Sequence, residues 1–177
     1  MKNFHSKSLF LSLTSLGLCL LGGVTPVLGN PAPLVQPLVG DIKSQLPEGK
    51  VLRLPAYLPD SPVQLYPYLK PDSMGFGVYV SYQPDCQLPS CTLGALGILL
   101  GDSPWPPKGN NRTPIRLTQT IEGFYLSRGK KGSDKTHYVF WQQDDQFYVV
   151  GILDLAATSE DVIAIAKSMA TEKPIKL

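Results

Sequence analysis

The sequence predicts an α+β fold: a single domain on a curved antiparallel sheet of about six strands in meander order, with a short N-terminal helix and a C-terminal helix packed on one face. Three observations carry this. Between Thr136 and Leu153, two runs rich in aromatic and β-branched residues flank Asp144-Asp145, the pattern of two strands around a turn. Beyond them, Val162, Ile165, Ala166 and Met169 fall at i, i+3, i+4 and i+7, one apolar helical stripe that needs a sheet to cover. Upstream, short extended segments alternate with Pro- and Gly-rich turns, the spacing of successive hairpins.

The chain opens with Lys2 and Lys7, an apolar run from Leu9 to Leu21 and small residues up to Gly29. That is the pattern of a secretory signal peptide over residues 1–29, its apolar run being short for a bilayer span. An uncleaved anchor is the alternative. Lipidation at Cys19 would place bulky Leu18 where a small residue is wanted. Removal of the leader leaves 148 of 177 residues, enough for one real core. It also leaves 14 of 16 basic residues against 14 acidic ones. A formally neutral mature chain gives no support to nucleic-acid or general anionic-membrane binding, and no transmembrane segment is expected after the leader.

Residues 30–36 read as a disordered Pro-rich lead, and 37–177 as the domain. Pro37 suits the first turn of a short helix with Leu38, Ile42 and Leu46 on one stripe. Val51–Leu54 reads as a strand and Val63–Leu69 as an edge strand, because Pro67 cannot donate in a central ladder. Phe76–Tyr82 alternates cleanly, and Thr92–Gly101 is apolar but interrupted by Gly94, Gly97 and Gly101. Ile115–Thr120 and Phe124–Arg128 supply two more strands. In the arm from Thr136, Tyr138 and Phe140 share one face while His137, Val139 and Trp141 share the other, so that hairpin is expected to be central. Thr158 and Asp161 have capping-box spacing at the start of the last helix, which Pro174 ends.

Cys86 and Cys91 are the cysteines that remain after the leader. In an oxidising compartment such a pair is most simply a disulfide, which on the chain-entropy model contributes about 2 kcal/mol. The spacing is not the Cys-x-x-Cys of redox pairs, and two thiolates with the one mature histidine, His137, are too few for a metal site. No cofactor is implied.

Where this order is in view, a resemblance can be stated. The tracts Val139-Phe140-Trp141, Gln146 to Gly151 and Ile163 to Met169 resemble the C-terminal half of a bacterial domain-of-unknown-function family found in secreted proteins, lipoproteins and the extracytoplasmic part of some anti-sigma factors. Tyr57-Leu58-Pro59 is similar to the opening of such domains. The resemblance spans about a third of the mature chain. It implies a curved antiparallel sheet with helices on one face and carries over no catalytic residue. The chain departs from it in the Cys86–Cys91 loop and the Pro-rich loop around Trp105.

For function, the absence of a recognisable nucleophile elbow or metal motif points to an exported, non-enzymatic binding or accessory domain, in the periplasm, outside the cell or in a photosynthetic lumen. Candidate contact residues for a protein partner or a small apolar ligand are Tyr57, Tyr66, Tyr68, Tyr79, Tyr82 and Trp105, whose side chains join apolar area to a polar tip. Their structural alternative is the covering of Pro-rich segments. Arg128, Lys130, Lys131 and Lys135 form a basic cluster in sequence, suited to an acidic partner or to a solvated hairpin tip. Two further readings stay open: a carrier of an apolar molecule or lipid beneath the C-terminal helix, and a hydrolase using Asp144, Asp145 or His137.

Overall fold

The structure is a computed structural model that describes residues 30–71, 75–101, 105–108, 111–130 and 134–177. The expected leader and Lys131 lie outside the described residues. A 3-10 turn at Gln36–Leu38 runs into α1 (Val39–Gln45). Then follow β1 (Tyr66–Leu69), β2 (Gly75–Ser81), β3 (Thr92–Leu99), β4 (Thr113–Arg116), β5 (Glu122–Arg128), β6 (Thr136–Gln143), β7 (Gln146–Leu153) and α2 (Ser159–Thr171). Among the described residues the α+β fold is thus one antiparallel sheet of seven strands rather than about six. Its order is β1-β2-β3-β7-β6-β5-β4.

That order is two meanders joined side by side. After β3 the chain crosses to the far edge, starts β4 and returns strand by strand until β7 pairs with β3, Leu96 opposite Val150 and Ile98 opposite Tyr148. Hence the β6–β7 hairpin is central, as its two apolar faces require. Both edge strands are four residues long and contain a proline, Pro67 in β1 and Pro114 in β4, a residue that sheets accept at their edges.

Side-chain alternation sorts the sheet into two faces. The inner face carries Phe76, Val78, Leu96, Ile98, Val139, Trp141, Tyr148 and Val150, all at most 2% exposed. Against it α2 lays Val162, Ile165, Ala166 and Met169, each fully buried. The expected capping box is formed: the Thr158 hydroxyl accepts from the Asp161 N–H, and the Asp161 carboxylate accepts from the Thr158 N–H. Ile42 and Leu46 of the short helix join the same core.

Two expectations are corrected. Residues 30–36 are packed rather than disordered, because Ala32 and Val35 are core residues and the Ala32 N–H donates to the Pro55 carbonyl. Val51–Leu54 forms no strand; only Leu52 makes a bridge, to Ile175. The Gln146 side chain explains this. Its amide donates to the Val51 carbonyl at 2.9 Å and its oxygen accepts from the Val51 N–H at 3.1 Å, so a side chain supplies the pairing that a strand neighbour otherwise would.

The β6–β7 turn places both aspartates in left-handed backbone, φ 54° at Asp144 and 55° at Asp145, as a type I′ hairpin turn demands. Asp145 is exposed and glycine is the preferred second residue of that turn. Asp145→Gly is therefore expected to leave stability unchanged or to raise it by about 0.5 kcal/mol. Urea midpoints of the two proteins check this, and a loss above about 1 kcal/mol would show that the Asp145 carboxylate holds something.

Candidate functional site

The inner face is closed by polar networks at its two ends. At the hairpin tip, Arg53 grips Asp144 in a fork, Nε to Oδ2 at 2.7 Å and Nη2 to Oδ1 at 3.0 Å, while its Nη1 donates to the Glu172 carbonyl. The Tyr148 hydroxyl has Asp144 Oδ2 at 3.1 Å and the Val51 carbonyl at 3.2 Å as acceptors. Hydrogen bonds from Arg53 hold the Asp144 carboxyl below its ordinary range, against partial burial, which acts the other way. Burial first, and then the Asp144 charge, push the Tyr148 phenol up. Chemically this is a clamp joining residue 53, the hairpin tip and the end of α2.

The second network is built on His137, 1% exposed. Its Nε2 lies 2.5 Å from Asp154 Oδ1 and its Nδ1 2.6 Å from the Tyr125 hydroxyl. A carboxylate only accepts, so Nε2 carries the proton, and in the neutral ring Nδ1 accepts from the phenol. Lys135 Nζ stands 3.9 Å from the same Asp154 oxygen. Both ring nitrogens are thereby engaged, and the chain Tyr125–His137–Asp154 ties β5 and β6 to the exit of β7. Sequence reading named His137 without its partners, which lie 12 and 17 residues away. Among the described residues no group of three or more His, Cys, Asp or Glu is placed to hold a metal ion.

Beneath α2 lies one small apolar cavity, about 30 Å³, lined in part by Val35, Leu58, Leu96, Ile152 and Ile165. It has room for a water or two and no more.

The outer face is different. Neither helix covers it, and the crossing from β3 to β4 passes over part of it, bringing Trp105 onto Phe124 of β5 (ring centroids 5.4 Å apart) and Phe147 of β7 (5.7 Å). Trp105 remains 37% exposed. Between it and the sheet is a pocket of about 290 Å³ lined by Leu99, Trp105, Lys108, Arg128, Phe140 and Phe147, with Pro107 at its edge. Leu99 also borders a groove of about 150 Å³ floored by Gly77 and Gly97 and walled by Tyr79 and Val149. Those glycines are register partners, and a Cβ at Gly97 would stand 2.7 Å from the Gly77 Cα. The strands approach too closely for side chains there, so bare backbone is exposed to whatever lies above.

The sequence candidates fall in different places. Tyr68 and Tyr79 stack on the outer face at 5.7 Å, the Tyr68 hydroxyl sharing a hydrogen bond with Thr92 at 2.8 Å. Tyr66 lines a cleft against the loop closed by the Cys86–Cys91 disulfide. Tyr57 and Tyr82 are exposed, Tyr57 over an open hollow beside Pro33 and Asp60. The basic cluster is split: Arg128 points to the Trp105 pocket, Lys135 to Asp154, and Lys130 is exposed. Phe124, Phe140, Phe147 and Lys108 were not singled out from sequence. Alternation marks Phe140 and Phe147 as sharing a face, but only the path of the crossing loop brings Trp105 and Lys108 to them.

The chain matches no protein-family model, no curated protein and no solved structure.

Proposed function

We propose that this protein is an exported, non-enzymatic binding domain whose ligand surface is the outer face of the sheet. The observation that carries the reading is the half-open aromatic pocket under Trp105, on the face that neither helix covers. Aromatic side chains held rigidly around a concavity offer large contact area at little entropic cost. The His137 and Asp144 networks, in contrast, are satisfied within the protein, and the cavity beneath α2 is too small for a lipid chain. The Cys86–Cys91 bond and the leader-like opening support export, and an extracytoplasmic role is what the resemblance of the Val139–Trp141, Gln146–Gly151 and Ile163–Met169 tracts would imply.

Native mass spectrometry of the protein exported by its own host tests this, with Trp105→Ala as the comparison. The expected result is a bound species on the wild-type chain that the variant loses almost entirely. A bare wild-type chain, or a bound species that survives Trp105→Ala, overturns the reading.

A further inference from the structure

Resting on that reading, we infer that the Trp105 pocket selects a small anionic aromatic molecule, an arene that carries a carboxylate or an equivalent acidic group. Three features of the pocket lead there.

Its floor and lid are rings. Phe140 and Phe147 come from adjacent central strands, and Trp105 tilts over Phe147 with an interplanar angle of 32°. An interplanar angle of that size with open volume beside it leaves ring faces available for stacking, the contact that aromatic pairs favour in offset or tilted geometry. At about 290 Å³ the space is at the lower end of small-molecule sites. One or two fused rings fill it; a lipid chain or a folded partner does not.

Its charged lining has one sign. Among the described residues Lys108 and Arg128 line it and no acidic residue does. Arg128 reaches it because β5 alternation puts this residue on the same face as Phe124, and Lys108 arrives on the crossing loop. Among the described residues neither cation has a salt-bridge partner, whereas Arg53 and Lys135 each have a carboxylate. The neighbouring Arg112 is occupied, its guanidinium lying 5.5 Å over the Phe124 ring and donating to the Pro107 carbonyl at 2.7 Å, which braces the loop that carries Lys108. Two exposed cations beside apolar rings suit an anion whose body is apolar, the rings taking the body and the cations the charge.

The other concavities lack this combination. Among the described residues the hollow at Tyr57 is lined by Asp60 and by no cation, and the groove over Gly77 and Gly97 by no charged residue.

The test is calorimetric titration of the exported protein with 2-naphthoate and, separately, with 2-naphthalenemethanol, which keeps the rings and lacks the charge. Naphthoate is expected to bind roughly tenfold or more tightly than the alcohol, and its advantage is expected to shrink as salt is raised. In the Lys108→Gln, Arg128→Gln double variant the ratio of naphthoate to alcohol affinity should fall to about unity, whatever the change in the alcohol's own affinity, and circular dichroism confirms the fold. Equal binding of the two probes, or an advantage that survives in the double variant, overturns the charge selection and leaves the binding-domain reading standing. Failure of both probes, with a host-derived species that Trp105→Ala still removes, overturns the small-aromatic assignment alone. Failure of both probes with a bare host protein removes both.

Discussion

Trp141→Ala is expected to cost about 3–5 kcal/mol. Trp141 has no exposed surface and stacks on Tyr148 across the central hairpin, with ring centroids 5.1 Å apart and planes 13° from parallel. Truncation removes that stack and opens a void beneath α2, which a close-packed interior refills only in part. It also strips a partner from Gln143. The indole N–H donates to Gln143 Oε1 at 3.1 Å, while Gln143 Nε2 donates to the Ala170 carbonyl in the last turn of α2. Urea unfolding followed by far-ultraviolet circular dichroism should show a midpoint lowered with little change of slope. Trp105→Ala is the contrast. That residue is 37% exposed on the other face, and its loss is expected to cost about 1 kcal/mol or less. Similar losses in the two variants would mean that the inner and outer faces are not separate environments.

The second large effect is at Arg53. Its side chain is 12% exposed and that of Asp144 29%, so the pair is sheltered, and breaking it is expected to cost about 2 kcal/mol at neutral pH, between the values for surface and fully buried pairs. The pH dependence has a definite sign. The folded-state pKa of Asp144 lies below its ordinary value of 3.8, so its stabilising contribution is complete above that value and is lost as pH falls through the folded pKa. Arg53→Ala removes the contribution at every pH. The stability gap between wild type and variant should therefore be widest near neutrality and should narrow once pH drops below about 3.8. Urea midpoints from pH 7 down to pH 2 measure the gap. A constant gap would mean that Arg53 acts through its bond to the Glu172 carbonyl and its packing rather than through Asp144.

What the sequence revealed was what is written locally. The central hairpin, the capping box at Thr158 and the apolar stripe of α2 each follow from residues within a few positions of one another, and each forms. Val51–Leu54 misled because its apolar residues have the strand pattern but their pairing partner is a side chain, Gln146, 95 residues away. The Pro-rich lead misled for a related reason: prolines suit disorder by composition, yet Ala32 and Val35 find a distant core. The meander order was legible from the succession of hairpins, but the joining of β3 to β7 was not, since nothing in Leu96 or Ile98 announces that Val150 and Tyr148 will be their neighbours. At the candidate site the tyrosines looked like one group because they are close in sequence. Strand alternation and the disulfide loop disperse them, and the pocket is instead assembled from four strands and a crossing loop, with only Trp105 and Arg128 foreseen.

The prolines at the two margins of the sheet also bear on how this domain can assemble. Pro67 and Pro114 each remove a backbone donor from an outermost strand only four residues long, so neither margin offers an incoming chain a full hydrogen-bonding ladder. Growth into a continuous intermolecular sheet is disfavoured at both ends, whether by a peptide docking through strand addition or by crowded copies zipping into fibrils along these margins.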